Sequence, residues 1–335
     1  PGYQSQWVAL THSNQELISV AAYLFSFGFT ALALRETGRP PFNTIISLLL
    51  MFIGLFPTEY FIGLELLRPL IIWFILAESM GIRQSLAKSL RAWLPYLLLW
   101  ISNFLFLWFY RQFGAYDSYG ITASGILKLG PADMIARLVE DALKAVGSAG
   151  LEAWTAPFNL LINPLTVTSS LLTLALMAVV GVVMVVFFLK FEADKPDEPY
   201  LAHTGLSWPV QAIILGIAGI LMGRLPSWIA GLPLRIEFSW DRFMLSMMLG
   251  GSLFFVGLLE FFIKNGRRKA FLASLFIALA VGQQFTAANA FRRDWANQQA
   301  FFWQLAWRIP ALEEDTLLVT HELPLQYESD YNLSG

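Results

Sequence analysis

The sequence predicts an all-α polytopic integral membrane protein with about eight transmembrane helices. Of its 335 residues, 56% are hydrophobic and only 14% charged, against roughly 45–50% and about 25% in soluble domains. Mean hydropathy is +0.58. Eight apolar stretches approach the ~20 residues that a helix needs to cross a hydrocarbon core about 30 Å thick, and alternating segments of the kind that build a membrane barrel are missing. The same composition excludes other classes. The 22 Lys and Arg face 24 Asp and Glu for a net charge of −2, whereas nucleic-acid binding needs a basic excess. With no cysteine there is no disulfide, thiolate metal site or Cys nucleophile. Three widely separated histidines, His12, His203 and His321, give little with which to build a metal centre.

Taken in order, the first span covers 17–34 and the second, a short one, 43–57. The third, 60–77, carries charges; the fourth and fifth, 92–110 and 166–189, are long and apolar. The sixth, 209–223, is short, and Pro226 and Pro233 beyond it suggest a break. Residues 242–263 and 270–291 complete the set. A separate polar-aromatic helix then opens at Arg292-Arg293-Asp294-Trp295 and ends before Pro310, and 316–320 reads as a short buried strand. The expected division is a transmembrane helical domain over 1–291 and the start of an extra-cytoplasmic α/β domain over 292–335. The chain opens Pro1-Gly2-Tyr3 without an initiator Met, so an internal fragment of a longer reading frame is expected.

Orientation follows from Lys and Arg in the short connections. Arg35 and Arg39, then Arg83, Lys88 and Arg91, then Lys190 and Lys195, then Lys264, Arg267, Arg268 and Lys269 fall in alternate connections. Opposite them, the sixth connection holds Arg224 and Arg235 and the second holds none. Both ends of the chain are thereby expected outside the cytoplasm. The connection 111–165 is then extra-cytoplasmic and long enough to be functional. It includes an amphipathic run over 131–146, with Pro131 at a first helical position and Asp133 in the first turn. Met134, Ile135, Leu138, Leu143 and Val146 share a broad face, with Arg137, Glu140, Asp141 and Lys144 interleaved. That pattern fits a helix lying in the membrane interface, or a loop helix packed on the bundle.

Charges inside spans cost about 2.5–3.5 kcal/mol each on insertion scales and so need a reason. In the third span Glu65 and Arg68 are three residues apart and share a helix face, with Glu59 at the outer end and Pro69 beside Arg68. Two readings stand side by side: a polar cavity opening outward to a charged ligand, or an ion pair bridging helices. Asp241 and Arg242 mark the outer end of the seventh span, where an arginine can grip an anionic lipid phosphate or simply anchor at the interface. Near the inner end, Glu260 and Lys264 have the spacing of a simple pair. The polar, aromatic stretch that includes Gln6, Trp7 and His12 suits hydroxyl-rich ligands or an ordinary interface. Asp117 and Asp133 are loop carboxylates, and no metal site is evident.

Pro1-Gly2-Tyr3-Gln4-Ser5-Gln6-Trp7-Val8-Ala9-Leu10-Thr11-His12-Ser13 before a span, and Trp240-Asp241-Arg242-Phe243 opening a late one, resemble bacterial multi-pass glycosyltransferases of the C superfamily. That resemblance implies a bacterial inner-membrane enzyme using a polyprenyl-phosphate-linked sugar donor on the outer leaflet, with membrane lipid and that donor as partners. It implies Arg242 for the carrier phosphate, the loop after Tyr110 as a cover for the donor, and an acidic residue upstream of this chain as the catalytic base. It admits a divalent metal, for which no ligand set argues. A transporter or flippase, and a polysaccharide polymerase or ligase, are the alternatives.

Overall fold

The structure, a computed structural model, describes residues 16–35, 40–113, 130–162, 167–193, 206–236 and 241–309, with 311, 313 and 316. Among them every regular element is helical. Helix α1 (Ile18–Leu34) and α2 (Pro40–Leu55) form a hairpin; a 3₁₀ stretch, Glu59–Leu67, leads into α3 (Arg68–Ala77); α4 (Ile82–Phe113) follows. Helix α5 (Pro131–Gly147) continues through a π turn, Ser148–Glu152, and short turns to Ile162. Then come α6 (Val167–Ala193), α7 (Trp208–Ile229), a 3₁₀ turn Asp241–Met244 running into α8 (Leu245–Phe262), and α9 (Gly266–Arg308). Helices thus occupy all eight expected positions. Six segments are long and apolar enough to cross a membrane, while α1 and α2, at 17 and 16 residues, are shorter apolar helices.

Two boundaries differ from the sequence reading. The sixth span is not cut short: α7 runs through Pro226 to Ile229. Pro226 lacks the N–H that would bond the Met222 carbonyl four residues back. Gly63 packs against that same carbonyl, so tightly that a Cβ there would collide with it, and its Cα hydrogen faces the freed oxygen. The eighth span and the polar-aromatic helix are one helix, α9, of 43 residues and about 64 Å at 1.5 Å per residue. From Gln283 to Ile309 there is no proline or glycine to stop it. Of the expected strand at 316–320 only Thr316 is described. Of the expected α/β domain over 292–335 the described residues are 292–309, 311, 313 and 316, the first of them continuing α9, and among the described residues there is no strand.

Small residues set the central packing. Gly216, Gly219 and Gly223 on α7 face Phe254, Gly250 and Ser246 on α8, so near that a Cβ at any of the three would meet backbone. Without a hydrophobic drive between helices in lipid, such close approach supplies the attraction. The end of α5 and the segment after it descend beside this pair: Ala145 and Ala149 are buried with Ile220, Met244 and Met247. Trp154 stacks on Phe255 at 4.1 Å, and Phe158 meets Phe276 of α9 edge-on at 5.5 Å. This segment lies between α8 and the α6–α9 pair. The wide apolar exposure of α4 and α6, such as Phe104, Leu105, Val179 and Val182, is what a lipid-facing surface requires.

Candidate functional site

Two arginine clusters lie in the bundle, at different heights. The first is central. The stretch preceding Arg68 is 3₁₀, in which residues three apart eclipse one another, so Glu65 stands directly over Arg68. Arg68 Nε donates to Glu65 Oε1 at 2.8 Å and to Oε2 at 2.9 Å. Its Nη1 donates to Thr30 Oγ1 and its Nη2 to Ser26 Oγ, at 2.6 and 3.0 Å. The Phe27 and Tyr96 rings cover the guanidinium, each with its centroid 4.4 Å away. Glu65 also accepts from Tyr23 Oη at 2.7 Å and from Trp93 Nε1 at 3.0 Å. Both charged side chains are 0% exposed. Of the two sequence readings, this geometry matches the ion pair that bridges helices, with α1, the third span and α4 all contributing.

The second cluster lies at the end of the bundle where α7 stops and α8 starts. The break between them is capped at Gly231, whose φ of 68° only glycine adopts freely. That turn folds the Leu232 carbonyl back onto Arg224 Nη2 at 2.8 Å, while Nη1 donates to Ser227 Oγ at 2.8 Å. Arg224 is only 7% exposed, yet its Nε has no acceptor and no carboxylate forms an ion pair with it among the described residues. Arg242 is half-buried, with its guanidinium 4.9 Å from the Phe243 ring. Its Nε, too, is buried without an acceptor among the described residues. Asp241 beside it is buried. Phe243 meets Tyr60 edge-on at 5.2 Å, which brings exposed Glu59 to the same end of the bundle.

A wall comes from α5. Asp141 accepts from Trp228 Nε1 at 2.6 Å, lies 3.6 Å from Arg137 Nε, and interacts electrostatically with Arg224. Glu140, one residue before it, pairs with Lys144 and Arg137; those cations, Lys144 first, hold its carboxyl below the ordinary value of 4.5. Upstream of Asp141 all of α5 is exposed except half-buried Met134.

The structure therefore brings Arg242, Asp241 and Glu59 to one end of the bundle and places Glu65 and Arg68 apart from them, enclosed. Gln6 and His12, with Asp117, Trp240, His203 and His321, lie outside the described residues. Asp133 is exposed in the first turn of α5. Glu260 pairs with Lys269 at 2.6 Å rather than with Lys264, because α8 ends at Phe262 and Ile263 turns extended, which takes Lys264 off the helix. No three His, Asp or Glu side chains come together as a metal site among the described residues.

In the sequence Arg224 reads merely as a loop charge and Asp141 as one of four charges interleaved on an amphipathic run, and nothing there pairs either with Trp228. The available signal was the Arg224–Trp228 spacing of four, visible only if α7 is carried past Pro226. Chemically, two cations with unfilled donors at the rim of an apolar bundle, next to an exposed carboxylate, can hold an anion and a hydroxyl beside it. No protein family, curated protein or solved structure matches this chain.

Proposed function

We propose that the chain is the membrane-embedded part of a glycosyltransferase, or of a non-catalytic relative. It would take its sugar from a polyprenyl-phosphate donor at the outer face of a bacterial inner membrane. The observation that carries this reading is the pair Arg224 and Arg242, cationic and buried at Nε without an acceptor among the described residues. A lipid phosphate at headgroup depth offers the oxygens these donors lack, and positive charge there stabilises the phosphate as it departs. Glu59, exposed at the same end of the bundle, is proposed as a substrate-binding carboxylate for the acceptor hydroxyl. Gln6 and His12 are proposed to meet the sugar. The test is binding and transfer with polyprenyl-phosphate sugars on the protein in lipid nanodiscs. Arg242→Ala is expected to weaken donor binding at least about tenfold, or 1.4 kcal/mol, while membrane insertion is kept. Retained binding would make Arg242 an interfacial anchor, and absence of binding and turnover with every donor would overturn the reading.

A second reading, a transporter or flippase, is favoured by the two interrupted helices, Glu59–Leu67 into α3 and the π turn after α5. Uptake or lipid translocation in proteoliposomes separates the two.

A further inference from the structure

The carboxylate of Asp141 has a position that packing alone does not explain. Its helix reaches the bundle only from that residue onward: 131–140 are exposed apart from half-buried Met134, and the apolar stripe Ile135, Val139 and Leu143 faces outward. At Asp141 the helix is fastened by the bond from Trp228 Nε1 at 2.6 Å. Trp228 sits one turn beyond Arg224 on α7, and the Asp141 charge acts on Arg224 through space without forming an ion pair with it. So the carboxylate whose charge acts on buried Arg224 sits on a neighbouring helix, where its partners are Trp228 of α7 and Arg137 of its own helix. Val146, packed in the cluster around buried Ala145, and then Gly147 and the π turn Ser148–Glu152 follow, so the stretch free to swing is the one that precedes Ala145.

We propose that Asp141 stands in for the ligand's anion: α5 is a lid latched by Trp228 over Arg224, and an incoming phosphate displaces that carboxylate. This rests on the anion-binding reading above and adds its regulation. A lid of this kind lowers the apparent affinity for phosphate by the fraction of time for which it is closed. It also makes binding and lid release reciprocal, since each must favour the other by the same factor.

The experiment uses the cysteine-free chain in phosphatidylcholine nanodiscs, with a spin label on Val139→Cys and farnesyl phosphate or inorganic pyrophosphate as probe. Trp228→Phe, which removes the donor and keeps the ring, is expected to mobilise the label without ligand. Asp141→Asn, which keeps an acceptor and removes the charge, is expected to tighten phosphate binding at least about fivefold, the lower end of ordinary coupling. Farnesyl phosphate added to the otherwise unaltered protein is expected to mobilise the label as well. Unchanged or weaker binding in Asp141→Asn overturns the proposal, and so does a label that stays immobile in Trp228→Phe. Pyrophosphate binding that rises in Asp141→Asn, with no binding of farnesyl phosphate, upholds the lid and sinks only the lipid-linked-donor reading. Failure of both probes sinks both.

Discussion

Arg68 and Arg224 are both withdrawn from solvent, and they are opposite cases. Arg68 has each of its nitrogens engaged, a carboxylate at 2.8 Å and two aromatic faces. Arg224, with Arg242 beyond it, keeps an Nε without an acceptor and meets carboxylate charge only at a distance. Burial is therefore a poor guide to which charge works on a ligand. A buried cation whose donors are all spent inside the protein fastens helices together; one whose donors are not has something left to offer. The cost of keeping an unmatched charge is what makes the second kind informative.

The largest expected effect sharpens the first half of that contrast. Arg68→Leu leaves Glu65 charged, enclosed and unpaired, and should destabilise the protein by about 3–5 kcal/mol. Thermal unfolding in detergent measures this. Adding Glu65→Gln should recover part of the loss, because the stranded charge is then gone. A single variant as stable as the parent would break the comparison. Arg224→Met should shift stability by only about 1–2 kcal/mol, the size of its two hydrogen bonds less the relief of an unmatched charge, while phosphate binding falls. Equal destabilisation by Arg68→Leu and Arg224→Met would show that the two sites do not differ in kind.

The smallest effect concerns Glu140. Its folded-state pKa lies below the ordinary carboxylate value of 4.5. It therefore adds stability to α5 above that value and loses it as pH falls through the lowered one. The pair is exposed, so the contribution is slight. The label on Val139→Cys should keep its mobility from neutral pH down to the ordinary carboxylate range and gain only a little below it. A large rise near pH 6 would assign the latch to another group.

Much of the helical plan was legible because lipid imposes a length and an apolar composition on anything that crosses it. α6 and α8 are readable for that reason, and so is the amphipathic run that became α5. The pairing of Glu65 with Arg68 was also readable, from a spacing of three that serves an α-helix and a 3₁₀ helix alike. What the sequence hid were contacts between elements far apart in the chain. Pro226 signals a break in any one-dimensional reading, and only the approach of Gly63 to the Met222 carbonyl shows why the helix continues. Asp141 looks like one of several loop charges until Trp228, 87 residues later, donates to it.

By itself the amino-acid order determined the solvent in which this chain folds and roughly where its helices lie, since hydrophobic length and period are properties of single segments. Tertiary structure alone decided which charges are spent and which are spare. A side chain's partners come from other helices, and glycine-lined contacts between those helices set who can reach whom.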